Sequence, residues 1–263
     1  MELPKLKVIK HDLGMETEKA YLIPLSDLHI GADFNEDKFL GYRQWILDRP
    51  EAYCVILGDV IDNAVTDSIG DTYGTLRPKQ QKELALKFLE PLARAGKILA
   101  WLDGNHEQRS TKQTDEHVGE YLTSMLGIPS VYDPDGIYMF LSVGYDRAKG
   151  ERNRNVYTLF MLHGFTGSRR MGGKANTLED MKRGVHAEVF LAAHSHQKIV
   201  FPSYTVMPDL RLKRIRYVKS MHVMAGSFQE WAGYSIRKGY QPTPMGSPRI
   251  KLSGVTHDLH CSV

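Results

Sequence analysis

Tyr53-Cys54-Val55-Ile56-Leu57 runs directly into Gly58-Asp59-Val60-Ile61-Asp62. An apolar run of strand length that breaks at a glycine and then presents two carboxylates reads as a buried strand whose end carries a ligand-bearing loop. The same pattern recurs on both sides of it. Tyr21 to Leu25 precedes Asp27-Leu28-His29, and Ile98 to Leu102 precedes Gly104-Asn105-His106-Glu107. Thr158 to Leu162 precedes His163-Gly164, and Val189 to Ala193 precedes His194-Ser195-His196. Five strands thus end in loops rich in carboxylate, amide and imidazole groups. Open α/β sheets build their sites where several strand ends deliver side chains to one place. Mixed Asp, Asn and His donors suit borderline transition-metal ions better than Ca²⁺ or Mg²⁺.

Spacing sharpens that reading. Asp27 and His29 are one residue apart, as are His194 and His196, so on an extended strand end each pair points to one side. Gly58 lets the backbone turn closely against a neighbour, giving Asp59 the rigid position that a carboxylate shared by two metals needs. Asn105 offers a neutral oxygen where another carboxylate would over-neutralise the site. Two dications about 3.5–4 Å apart hold a bridging hydroxide as nucleophile and clamp phosphate oxygens as charge develops.

The remaining sequence bounds the fold. A chain of 263 residues that is 42% hydrophobic and 25% charged has the composition of an ordinary globular protein with a well-filled core. No apolar run approaches the roughly 20 residues that span a bilayer. Met1 to Lys10 holds no apolar signal core, so the expected compartment is cytoplasmic, and no membrane partner is expected. Cys54, inside a predicted buried strand, and Cys261 near the C-terminus read as reduced packing residues. The net charge of +3 is uneven: residues 1–131 hold 15 Lys+Arg against 21 Asp+Glu, a net −6, and residues 132–263 hold 19 against 10, a net +9. The basic half is free to face an anionic substrate; scattered solvated cations would give the same count.

Strands are expected at Leu6 to Ile9 and Tyr21 to Leu25 around a turn at Gly14. Helical spacing follows over Phe39 to Leu47, and again from Leu84 to Leu92, where Pro91 should bend or end the helix. A polar loop runs from Asn63 to Gly74. Glu116 to Leu126 reads as a helix stopped by Gly127 and Pro129. Ile137 to Val143, Val156 to Leu162, Ile199 to Val206, Arg211 to Val218 and Met221 to Ala225 then read as strands, with one helix around Thr177 to Arg183. Strand–helix alternation followed by strands suggests two sheets packed face to face with helices outside, in one domain spanning 1–263.

The order D-x-H, G-D-x-x-D, G-N-H-[DE], H and H-x-H resembles that of the calcineurin-like metallophosphoesterase superfamily, from Asp27 to His196. Ala193 stands where that family usually has Gly. The resemblance implies an α/β four-layer αββα sandwich of two mixed β-sheets flanked by helices. It also implies two divalent ions, Mn²⁺ foremost with Fe or Zn²⁺ as alternatives. It would put Asp27, His29 and His196 on one ion, Asn105, His163 and His194 on the other, and Asp59 on both. By the same resemblance His106 contacts the scissile phosphate or protonates the leaving group, and Asp62 orients His106; Asp62 as a helix cap is the plainer reading.

Further candidates are cationic. Arg109, three residues after His106, is a candidate to reach a substrate phosphate with its planar fork, with a surface arginine as the alternative. Ser168 to Lys174 holds Arg169, Arg170 and Lys174 around paired glycines, a pattern for a mobile phosphate-contacting loop or for a solvated entry to a helix. Arg211, Lys213, Arg214, Arg216 and Lys219 charge both faces of one expected strand, as in an edge strand or projecting hairpin. The expected function is phosphoester hydrolysis, on a phosphodiester such as DNA or RNA. A phosphomonoesterase, or a scaffold that keeps metal without turnover, are the alternatives.

Overall fold

The apolar runs assemble as two six-stranded sheets. The computed structural model describes residues 6–64, 76–237 and 239–263. One sheet has the order β1 (Lys7–Asp12), β6 (Gly136–Tyr145), β7 (Arg154–Leu162), β8 (Val189–Ala192), β10 (Arg214–Met224), β9 (Ile199–Asp209). The other runs β12 (Leu259–Ser262), β11 (Arg249–Ser253), β2 (Lys19–Leu25), β3 (Ala52–Leu57), β4 (Ile98–Leu102), β5 (Tyr132–Asp133). Both are mixed: β2, β3, β4 and β5 run parallel while β11 pairs antiparallel, and β7, β8 and β10 run parallel while β6 and β9 are reversed. One apolar cluster spans the space between the sheets, with Ile137, Met139, Leu159, Leu191 and Val223 meeting Leu22, Ile56 and Trp101. Helices α1 (Glu36–Leu47), α2 (Pro78–Arg94) and α4 (Val118–Met125) cover the second sheet, and α5 (Met171–Asp180) covers β8 and β10 of the first. The architecture is therefore an α/β four-layer αββα sandwich.

Several local expectations are corrected. β1 and β2 flank a turn at Gly14, where φ is +95°, but they belong to different sheets. Pro91 lies inside α2 and does not end it; it sits one turn from the C-terminus, where only one helical hydrogen bond is forfeited, and its carbonyl still accepts from the Ala95 N–H at 3.2 Å. Glu116 and His117 precede α4. The helix read around Thr177 to Arg183 begins earlier, at Met171, so Gly172 and Gly173 are helical and form no flexible loop. A Cβ on Gly173 would sit 2.2 Å from the Ser168 hydroxyl, so that glycine admits the turn entering α5.

Two strands expected at Arg211 to Val218 and Met221 to Ala225 are one strand, β10, and Arg211 and Lys213 lie in the turn before it. Only Met221–Met224 pairs with β8, so Arg214 to Ser220 pairs with β9 alone as a projecting two-stranded arm. Helix α3 (Glu107–Thr114) and strands β11 and β12 were not anticipated. Most of the loop read from Asn63 to Gly74, and Met1 to Lys5, lie outside the described residues. Among the described residues no helix is long and apolar enough to cross a membrane.

Candidate metal centre

All five loops meet at the carboxyl ends of β2, β3, β4, β7 and β8. The chain after β2 runs beside the chain after β3: the N–H groups of Asp27, His29 and Ile30 donate to the carbonyls of Gly58, Asp59 and Val60 at 3.0–3.1 Å. This ladder fixes Asp27 and His29 next to Asp59. Gly58 and Gly104 lie back to back, and a Cβ on Gly58 would meet the Gly104 nitrogen at 2.3 Å. A Cβ on Gly104 would meet the Asp59 carboxylate at 2.1 Å. Both glycines are therefore required by close approach.

The backbone at these positions is not extended. Asp27, His29, Asp59, His194 and His196 have φ between +48° and +66°, the left-handed region that non-glycine residues rarely enter. The paired side chains converge because each loop is turned this way, and not through the alternation of a strand as the spacing suggested. Backbone held in so sparse a region costs on the order of 1–3 kcal/mol per residue and gathers at sites the surroundings over-determine.

Two sets of donor atoms gather the expected ligands, and a third, His29, Asp62 and His106, shares His29 with the first. Asp27, His29 and His196 form the first. The two Nε2 atoms of His29 and His196 are 3.1 Å apart, and Asp27 Oδ1 is 3.2 Å from the second and 3.9 Å from the first. Asp59, His163 and His194 form the second. His163 Nε2 lies 3.3 Å from Asp59 Oδ2, and Asn105 Oδ1 lies 3.2 Å from His163 Nε2 and 2.8 Å from His194 Nδ1. Asp59 Oδ2 is also 3.9 Å from His29 Nε2, so it stands between the two sets.

The donors fit divalent cations. Asp27 and Asp59 are 0% and 1% exposed, and burying two ionised carboxylates costs several kcal/mol each unless positive charge is supplied. Asp27 Oδ1 is buried with no hydrogen-bond partner. His163 Nδ1 is held by the Leu57 carbonyl at 2.5 Å, which fixes its tautomer and leaves Nε2 as a lone-pair donor. Electrostatics agree. Burial, with His106 and His196 nearby, pushes the His29 imidazole down to about 3, keeping it neutral. Burial also works against ionising Asp59, yet His163 and His106 outweigh it and hold that carboxyl well below the ordinary carboxylate range. Burial lowers His163 as well, but the Asp59 carboxylate overrides it and pushes the imidazole up to about 10, so with no metal bound the ring pairs with Asp59 as a cation, and a metal at Nε2 would have to displace that proton.

His106 sits beside the first set, its ring 4.4 Å from that of His29. Its Nδ1 faces the Asp62 backbone carbonyl at 2.6 Å, with the Asp62 carboxylate at 3.4 Å. Asp62 thus faces the ring with both its main-chain carbonyl and its carboxylate, and no helix follows for it to cap before residue 65. Arg109 donates from Nη1 to the same carbonyl at 2.9 Å, and its Nη2 lies 2.9 Å from His106 Nε2. The Arg109 fork is therefore anchored against His106. Lys174 Nζ donates to the Ser195 carbonyl at 3.0 Å, tying α5 to the loop of His194 and His196. Arg169 and Arg170 are exposed just before α5. Ala193, in place of glycine, buries its methyl in the core while its N–H donates to the His163 carbonyl at 2.8 Å.

Two residues to which the sequence reading gave no role hold the site together. Glu107 is buried, and its carboxylate accepts from the N–H groups of Asp59, Val60, Ile61 and Gly104 at 2.8–3.3 Å. It locks the turn that carries Asp59 to the turn that carries Asn105. Asn63 donates from Nδ2 to the His106 carbonyl at 2.7 Å and accepts from the Ser110 hydroxyl at 3.0 Å. The sequence signal for Glu107 was its place in G-N-H-[DE]; for Asn63 there was none.

No protein-family model and no curated protein matches the chain. Among solved structures it is similar to YfcE, a phosphoesterase from E. coli, at 14% identity, covering 92% of this chain and 98% of that one with a TM-score of 0.43. A metallophosphoesterase from Sphaerobacter thermophilus is similar at 12% identity, 92% and 86% coverage, and a TM-score of 0.40. GAP50, the anchor in the inner membrane complex of Plasmodium, is similar at 10% identity, 92% and 88% coverage, and a TM-score of 0.45. At such identity and overlap, what those chains do does not carry over to this one, and its own residues decide.

Proposed function

We propose that this protein is a metal-dependent phosphoesterase that hydrolyses a phosphodiester. The observation that carries the reading is the convergence of Asp27, His29, Asp59, Asn105, His163, His194 and His196 as two donor sets sharing one carboxylate. Asp27, His29 and His196 would hold one divalent ion, Asn105, His163 and His194 the other, and Asp59 both. When bound, such a pair supplies a nucleophile at neutral pH and a charge clamp on the phosphate oxygens.

The chain's own groups do the rest. His106 has Nδ1 held by the Asp62 carbonyl and Nε2 between the Arg109 guanidinium and Asp59 Oδ2, so Nε2 can carry a proton to the departing oxygen once Arg109 turns from it to the substrate phosphate. Arg109, docked on the same carbonyl, fixes the ring and offers a guanidinium beside the reacting phosphate. Asn105 adds a neutral donor at the exposed mouth. Mn²⁺ is the proposed metal, with Fe and Zn²⁺ equally acceptable to these donors.

The test is Asp59→Asn. It is expected to abolish turnover and to lower metal content below two ions per chain, as elemental analysis of the purified variant would measure. Two tightly held ions with normal turnover would remove the proposal. Aryl phosphate monoesters and diesters assayed side by side with Mn²⁺ decide between the phosphodiesterase and the phosphomonoesterase.

A further inference from the structure

Three large aromatic side chains stand in solvent around the mouth of the metal centre. Phe165, two residues beyond His163, is 73% exposed, Trp231 48% and Tyr240 45%. They sit on two loops fastened to the donor residues. The loop after β7 carries His163 and Phe165 and leads through Arg169 and Arg170 into α5, which Lys174 ties to Ser195. The loop after β10 is fastened to Asp27, whose carbonyl accepts from the Phe228 N–H at 3.2 Å and the Ser227 hydroxyl at 2.8 Å. It is fastened to His196 as well, whose carbonyl accepts from the Thr243 hydroxyl at 2.9 Å. The loops touch each other where the Arg169 guanidinium lies 5.7 Å from the centre of the Tyr240 ring. Trp231 is steadied by its Nε1, which donates to the Tyr240 carbonyl at 2.7 Å. Two joined loops thus carry three exposed rings, with the Arg169 guanidinium against one of them.

Exposed aromatic rings and the exposed cations Arg169 and Arg170, beside a centre proposed to bind phosphate, match a chain that carries both flat bases and phosphates. Any base offers a π-face, so such stacking is tolerant of sequence, and the bases must be unpaired to offer it. We propose that Phe165, Trp231 and Tyr240, with Arg169, form a base-stacking platform that holds an unpaired strand of nucleic acid across the mouth of the metal centre. This rests on the phosphodiesterase reading for its chemistry but has its own binding readout. A duplex stacks its bases internally and would engage the rim only through its backbone. An apolar peptide would use the rings without needing Arg169 and Arg170.

The experiment measures the affinity of the full chain, loaded with Mn²⁺ and carrying His106→Ala to stop turnover, for three probes. These are a short oligothymidylate, the same sugar–phosphate backbone without bases, and a duplex of equal length. The base-bearing strand should bind most tightly. Phe165→Ala or Trp231→Ala should each weaken it about fivefold or more while leaving the base-free backbone unchanged. Trp231→Phe should restore most of the loss, which a merely structural role would not predict. Equal binding of the two single strands by the parent, or equal losses on both in the alanine variants, would overturn the platform. So would preference for the duplex. Wild-type turnover of a small aryl diester, measured in parallel, separates the two ideas: turnover without base-dependent binding sinks the platform alone, and base-dependent binding without turnover of any ester sinks the phosphodiesterase alone.

Discussion

At the scale of single residues, the candidate centre depends on side chains outside its donor sets. Glu107 gathers four backbone N–H groups onto one buried carboxylate. Burial and the nearby Asp59 charge raise its pKa, so the four donors are what keep it an effective acceptor. Glu107→Gln leaves one oxygen for those donors and turns an N–H₂ group toward two of them. Hydrogen bonds to a charged group are each worth about 1.5–3 kcal/mol, so a loss of about 3 kcal/mol or more is expected in chemical denaturation, with metal content falling in step. A stable variant with full metal would show that the turns need no common anchor. His106→Ala should do the opposite: metal stays bound and kcat falls by about 10²–10⁴. The fall should be greater for an alkoxide leaving group than for nitrophenolate, which hardly needs a proton. Asp62→Asn keeps the carbonyl that holds Nδ1 and should cost far less; loss of metal in the His106 variant would make it a ligand instead. The donor residues were legible because their types and spacing are rare in combination. The role of Glu107 was not, since its partners Asp59, Val60 and Ile61 lie more than forty residues earlier in the chain. Left-handed backbone at Asp27 and His29 was equally hidden, because no glycine marks it.

At the scale of elements, periodicity found what packing decides and missed what packing does not. Strands β4 and β8 are buried along their whole length, and β3 at every residue but Tyr53, and all three appear in the sequence as apolar runs. Helix α3 reads Glu-Gln-Arg-Ser-Thr-Lys-Gln-Thr and offers no apolar face; Glu107 and Ser110 are its buried residues, held by hydrogen bonds. β12 alternates strictly but has only four residues. The hairpin of β9 and β10 was seen as charged but not as one continuous arm, because Ser220 interrupts its hydrophobic pattern. One contact joins distant elements. His257, beyond β11, forms an ion pair with Glu188, just before β8, and stacks on Tyr157 of β7 with ring centres 4.5 Å apart. The hydrogen bond to Glu188 raises the His257 pKa above its ordinary 6.5; burial alone would raise Glu188, but His257 overrides it and lowers that carboxyl. The contribution of His257 is therefore complete below the unfolded imidazole value and is lost as pH rises through its raised folded value. His257→Phe keeps the stacking and removes the charge. The variant should be less stable than the parent by up to about 1 kcal/mol near pH 6 and by less near pH 9, because the pair is partly exposed. A gap that widens toward pH 9 would assign the contact to packing.

Across the whole molecule, the acidic residues 1–131 furnish Asp27 and Asp59 while the basic residues 132–263 bring His163, His194 and His196 to the same place, and both sheets draw strands from both halves. The net charge of +3 conceals this, and metal binding would neutralise part of the acidic excess. If the substrate is the anionic strand proposed above, Arg169 and Arg170, both exposed, are the cations of this loop open to it. Lys174 lies closer in but is half-buried, its pKa lowered by desolvation and its ammonium committed to the Ser195 carbonyl. The three cations named together from the sequence therefore separate into two that are free to meet phosphate and one that braces the site. Each phosphate contact on a single strand contributes about 0.7 to the slope of log affinity against log salt. Arg169→Gln and Arg170→Gln together should flatten that slope by about 1.4 for an oligothymidylate, measured with metal present and turnover blocked by His106→Ala. Lys174→Met should change the slope by much less and instead lower metal retention, since it frees the loop that carries His194 and His196. A slope unchanged in the double variant would remove both arginines from the path of the substrate. A full step lost at Lys174 would show that its ammonium leaves Ser195 for phosphate when the strand arrives.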